Sequence, residues 1–280
     1  SHFYVGGGRG GPPWWTSMHW SHEVTGWVGL HLLGNRFGQW AFRKCSPTYK
    51  SLSDAQQEGA VSRFVSSYHA LAATVVSGWA LVSEQLAPSP SAAMYTPSAL
   101  MPGVVTFSLG YMLADLMNEA RCWLRRVNYE VDPRSVIHHL LVCGTGILYH
   151  CVEPTTYNYV MALGMATEVS TPLVNAWWLS VELNYSSAFS TGVGFVMIGV
   201  FGLVRVPLCI MAMRSGFMNR DEISRTITAG GTRAAFSVMM WTAVSGLSAL
   251  NAYWFSLMLK GAVEAVKGPE SKEGEKKKDS

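Results

Sequence analysis

Stretches of about twenty consecutive, mostly apolar residues recur along this chain, and each is long enough to cross the hydrocarbon core of a bilayer as a helix. They fall at about residues 64–86, 103–124, 136–152, 158–181, 190–214 and 235–259. A seventh, near 24–42, is interrupted by His31, Asn35 and Arg36. It either spans or lies flat at the interface, with Trp14, Trp15, Trp20, Trp27 and Trp40 at headgroup depth. The connecting segments carry helix breakers or charge. Residues 87–102 contain four prolines, 125–135 read RRVNYEVDPRS, and Glu153-Pro154 closes the third stretch. Lipid leaves no partner for an open strand edge, so strands are not expected. The fold class is therefore all-α: a polytopic transmembrane helix bundle of six core spans, plus the N-terminal helix. No internal repeat is visible.

Composition agrees. Only 14% of the 280 residues are charged and 49% are hydrophobic, with a mean hydropathy of +0.17. The formal net charge is +3, and six of the 21 Lys+Arg lie in the last 21 residues. A nucleic-acid partner, which needs a broad basic face, is not expected. The five cysteines have no C-x-x-C spacing, which argues against a zinc knot or a disulfide framework and for small buried apolar side chains. Neither a cofactor nor a metal is expected.

The chain divides into an aromatic-rich N-terminal extension (1–55), a membrane domain (56–262) and a charged tail (263–280). Glycine-rich residues 6–13 and the tail have little to bury. Arg43, Lys44, Lys50, Arg63, Arg121, Arg125, Arg126, Arg134 and the lysine tail collect on one side, which predicts a cytosolic or matrix C-terminus. Arg214, Arg220, Arg225 and Arg233 fall on the other, so either a span is misassigned or that loop resists the rule. The chain starts at Ser1 rather than Met, consistent with a removed leader or a truncated record.

Polar residues within the stretches carry the functional information, because an ionisable group at bilayer depth costs about 2.5–3.5 kcal/mol on insertion scales and so faces the interior with a partner. His69 and His150 fit hydrogen-bonded core histidines as well as ligands. Asp115 and Glu119 lie one turn apart; Asp115 is the deeper, and Glu119 has Arg121–Arg126 as surface partners. Adjacent His138 and His139 point to neighbouring faces, one continuing to Val142, Thr145 and Tyr149, the other to Cys143, Gly146 and His150. Glu168, Thr171, Asn175 and Trp178 follow one helical face, and Pro172 predicts a mid-membrane kink beside them. An internal polar staple between helices explains that face equally. Arg205 lies two residues before Pro207. Its counter-ion is Glu168 or Asp115, and sequential spans favour Glu168.

SRFVSSYHAL at 62–71, GYMLADL at 110–116, DPRSVIHHLL at 132–141, EVSTPLVNAWWL at 168–179 and VRVP at 204–207 together resemble the TLC family (TRAM, LAG and CLN proteins), in its small TLC-domain-containing branch. The resemblance runs from about residue 56 to 262. It implies a bundle around an intramembrane cavity that handles lipid, lined by His69, Asp115, His138, His139, Glu168, Thr171, Asn175, Trp178 and Arg205. In the ceramide synthase branch paired histidines sit at the reaction centre with a downstream aspartate pair. His138 and His139 match the first part. The second has no match: past His139 and before the tail the only aspartate is Asp221, and Glu168 stands near the acidic position.

The expected function is a non-catalytic, lipid-binding accessory subunit of a larger membrane complex, with phospholipid or sphingolipid and other protein subunits as partners. The alternative is an acyl-CoA-dependent sphingoid-base N-acyltransferase, with His138, His139 and Glu168 catalytic. A cargo receptor is the third reading, since Lys277-Lys278-Asp279-Ser280 matches a dilysine retrieval signal. The mitochondrial inner membrane is slightly favoured over the endoplasmic reticulum, to which the dilysine ending points.

Overall fold

A computed structural model describes residues 14–86, 96–125, 133–152 and 157–267, with side chains described from residue 20 to residue 266. Described residues are almost wholly helical, with no strand among them. The glycine-rich start, most of the proline-rich connection, the turn at 126–132, Glu153-Pro154 and the lysine tail lie outside them.

The order is α1 (Trp14–Cys45), α2 (Pro47–Ser51), α3 (Asp54–Ser83), α4 (Met101–Leu124), α5 (Pro133–His150), α6 (Asn158–Ala166), a 3₁₀ turn (Thr167–Ser170), α7 (Thr171–Glu182), α8 (Ser187–Val200), a π segment (Phe201–Arg205), α9 (Val206–Met218), α10 (Arg220–Ala229) and α11 (Gly231–Lys267). Each of the seven apolar stretches thus coincides with a helix or a helical run, although 64–86 and 136–152 overrun the ends of α3 and α5 by three and two residues. Three are long and apolar enough to cross a membrane by length and composition: α3, the run Ser187–Met218, and Gly231–Val266 of α11. Polarity sets the others apart: α4 carries Asp115, Glu119 and Arg121, and α5 carries His138 and His139.

Local chemistry explains the boundaries. Ser53 caps α3 reciprocally with Gln56: its hydroxyl accepts from the Gln56 N–H, and the Gln56 side chain accepts from the Ser53 N–H. Ser46 caps α2, with Pro47 at its first turn. The Glu84 carboxylate accepts from the Ala99 and Leu100 N–H groups at 2.9 and 3.3 Å, holding the chain as it enters α4.

The interior holds polar groups as well as an apolar core, and many large apolar side chains face outward. His31, His69, Ser108, Asp115, Asn118, Glu119, His139 and Arg205 are buried, while Leu33, Val75, Trp79, Val82, Leu203 and Val266 are among the most exposed large apolar side chains. Exposed apolar surface on this scale suits lipid rather than water. Buried Ala73, Ser77 and Ala80 on α3 are small, which lets neighbouring helices approach. Gly110 of α4 does the same for α1: a Cβ there would lie 2.4 Å from the Cβ of Trp27.

The N-terminal helix does not lie flat across the bundle. It contacts α3 in antiparallel register, with Gly34 against Tyr68, Gly38 against Val61 and Phe64, and Gln39 bonded to Glu58. It is held by burying Val24, His31 and Asn35. The arginines at 220–225 belong to α10, a short amphipathic helix with no buried residue, between α9 and α11. All five cysteines are free, but Cys45 and Cys151 sit exposed at helix ends instead of in the core; Cys122 and Cys143 are buried.

Candidate functional site

Two proline-linked irregularities create the polar centre. In an unbroken α-helix the Thr167 carbonyl would accept from the Thr171 N–H. The 3₁₀ turn ahead of Pro172 redirects that N–H to the Glu168 carbonyl. The Thr167 carbonyl instead accepts from Arg205 Nε at 2.8 Å. Arg205 closes the π segment just before Pro207, where the helical ladder is also interrupted. Its Nη2 lies 3.2 Å from Glu168 Oε1 and 3.3 Å from the Thr171 hydroxyl. Thr171 in turn donates to Glu168 Oε2 at 2.7 Å. Glu168, not Asp115, is therefore the counter-ion of Arg205.

This pair separates two cavities. One, of about 320 Å³, is lined by His138, His139, Glu168, Thr171 and Arg205, with Ser66, Tyr111, Trp254 and others completing its wall. The other is smaller, about 100 Å³, and largely apolar; His138, Glu168 and Arg205 border it together with Val142, Thr145 and Met161. A third, open groove of about 660 Å³ runs between α7, α8 and α11, walled by Trp177, Tyr185, Phe195, Met197 and Leu257. It shares Val174, Trp254 and Met258 with the polar cavity, so the two lie on either side of one wall.

The two histidines divide their work as their helical phases require. His138 borders both cavities on the Val142–Thr145 face. His139 is buried against α4, and its Nδ1 faces Asp115 Oδ2 at 3.7 Å. Asp115 also accepts from Ser62 at 3.1 Å. Asp115, Glu119 and His139 present one donor atom each within 4.8 Å of one another, the one set of three metal-binding residue types gathered among the described residues.

Other expected lining residues are placed elsewhere. His69 is a satisfied core histidine: it bonds Ser108 at 3.1 Å and stacks on Tyr111. His150 pairs with Thr106 at 3.2 Å and stacks on Trp20. Asn175 donates to the Arg63 carbonyl and to Ser67, both at 3.0 Å, and Trp178 lies 3.8 Å beneath the Arg63 guanidinium. These two staple α7 to α3 and do not line the polar cavity. A 3₁₀ turn advances about 120° per residue against 100° for an α-helix, so the three steps from Glu168 to Thr171 rotate the face by about 60° and part Asn175 and Trp178 from Glu168. Arg121 does not need Glu119: it binds Glu58 at 2.7 Å and Asn118 at 2.6 Å. Tyr111, Ser66 and Trp254 were missed by sequence reasoning. Tyr111 stands four residues before Asp115, and that spacing is the signal that could have found it.

Comparison with known proteins agrees with this architecture. The TLC-domain family model matches residues 60–260. TLC domain-containing protein 4-A of Xenopus laevis is 27% identical over 249 residues, covering 87% of this chain and 91% of the relative. TLC domain-containing protein 4 of Xenopus tropicalis is 28% identical over the same shares. No solved structure matches. With its apolar helices and a family match across most of its length, the chain is a membrane protein belonging to the TLC-domain family.

Proposed function

We propose that this protein binds a membrane lipid with its headgroup at the polar cavity and its acyl chain in the groove between α7, α8 and α11. One observation carries the reading: the cavity bearing His138, His139, Glu168, Thr171 and Arg205 lies next to an apolar groove, with Val174, Trp254 and Met258 lining both. A polar end beside an apolar trough matches the shape of an amphiphile. The same reading takes the seven long helices and helical runs as spans, six from the core and α1 beside them.

The role is non-catalytic, as a structural, lipid-holding accessory subunit of a larger membrane complex. The acidic partner of the ceramide synthase pattern has no aspartate here, and Glu168 is already committed to Arg205 and Thr171. Its membrane is the mitochondrial inner membrane, with the endoplasmic reticulum as the alternative. Mass spectrometry of the protein extracted in mild detergent tests the reading: lipid at near-stoichiometric amount and reproducible partner subunits are expected. Recovery of a bare, solitary chain contradicts it.

A second reading is an N-acyltransferase, favoured by one feature: His138 and His139 both reach the cavity wall. One imidazole would act as general base or transient acyl acceptor. Transfer of labelled acyl-CoA to a sphingoid base, lost on His138→Ala or His139→Ala, would establish it in place of the accessory role.

A further inference from the structure

Behind the wall of the polar cavity, α4 and α5 bring together two carboxylates and an imidazole whose geometry differs from that of a finished ion pair. Asp115 and Glu119 lie four residues apart and share one face of α4. His139 meets them from α5, and all three are more than nine-tenths buried. The donor atoms lie within 4.8 Å of one another. His139 Nδ1 is buried with no hydrogen-bond partner, and it points at Asp115 Oδ2 from 3.7 Å. A simple Asp–His pair would close to about 2.8 Å.

We propose that Asp115, Glu119 and His139 bind one divalent transition cation, with zinc the best match. An imidazole nitrogen and two carboxylate oxygens form a borderline N/O donor set, and three protein ligands leave a fourth position open. Oxygen and nitrogen ligands at about 2.0–2.2 Å from zinc stand about 3.4 Å apart in a tetrahedron. The cluster therefore needs only a small rotation of side chains to close. Two supporting features are already in place. Ser62 donates to the Asp115 oxygen that faces away from His139, as an outer partner that orients a ligating carboxylate. Binding through Nδ1 leaves the other nitrogen of His139 for the cavity that this residue also lines. One turn along α4, Cys122 and Arg121 border a polar pocket of about 220 Å³ that includes Asp54 and Glu58.

This site does not depend on the lipid reading. Lipid retention and metal content can fail separately, and each is measured without the other.

The test uses the full chain in mild detergent. Elemental analysis of the purified protein is expected to return about one zinc per chain. Cobalt(II) added to chelator-stripped protein is expected to give a visible absorption band that zinc displaces. Asp115→Asn, Glu119→Gln and His139→Ala should each weaken zinc by about 100-fold or more, beyond the 10–100-fold that loss of an outer partner costs. Glu264→Gln, an exposed acid on α11, should leave binding unchanged. The cobalt spectrum is read on the unmodified chain, so a variant that fails to fold does not stop the test. Protein that carries no stoichiometric metal and takes up neither zinc, manganese nor cobalt overturns the proposal. So does binding that persists undiminished in all three variants.

Discussion

Glu168, part-buried, and Asp115, buried, are both carboxylates beside the histidine pair, yet they are in opposite states of completion. Glu168 is closed. Arg205 takes one oxygen and Thr171 the other, and the same guanidinium binds the carbonyl that the 3₁₀ turn releases. Asp115 is open. Ser62 takes one oxygen, while the other faces an imidazole nitrogen 3.7 Å away. A closed centre fixes helices in place; an open one is poised for something else. The lesson is that burial of charge does not by itself mark a ligand site. What distinguishes the two is whether every donor and acceptor has been answered.

Breaking the closed centre should have the largest effect. Arg205→Met leaves Glu168 buried without its cation and is expected to cost ~3–5 kcal/mol, read as a lowered midpoint of thermal unfolding in detergent. Adding Glu168→Gln should recover part of that loss. A fully additive double mutant would mean that the two side chains are not coupled. Next in size is Gly110→Ala, which forces a Cβ against Trp27 and should cost about 1–3 kcal/mol without touching either carboxylate. It tests whether α1 belongs to the bundle. In chelator-stripped protein, Asp115→Asn keeps shape and the Ser62 bond, so a loss below about 1 kcal/mol is expected, in contrast with Arg205→Met. Equal losses at the two centres would erase the distinction between them. Smallest is Arg225→Gln, which removes an exposed pair with Glu222 on α10 and should stay within about 0.5 kcal/mol.

The same contrast shows what could be read from residues alone. Hydropathy located every long helical run, and the prolines marked where two of them become irregular. Glu168 was matched to Arg205 because the two helical runs are sequential and sequential helices pack together. Three things were hidden. The 3₁₀ turn rotates Asn175 and Trp178 away from Glu168, and such a turn leaves no clear periodic signal. The upright stance of α1 depends on fits such as Gly110 on Trp27, which join residues far apart in sequence. The grouping of Asp115 and Glu119 with His139 joins two helices and depends on how α4 and α5 pack.

The lipid reading rests on a particular groove, and outward apolar surface is abundant elsewhere. Crosslinking with a photoactivatable phospholipid, mapped by peptide mass spectrometry, addresses that directly. Labels concentrated on peptides containing Trp177, Met197 and Leu257, and displaced when Val174→Trp narrows the junction with the polar cavity, are the predicted result. Labels spread evenly over Leu33, Trp79, Leu203 and Val266, and indifferent to that substitution, would contradict it.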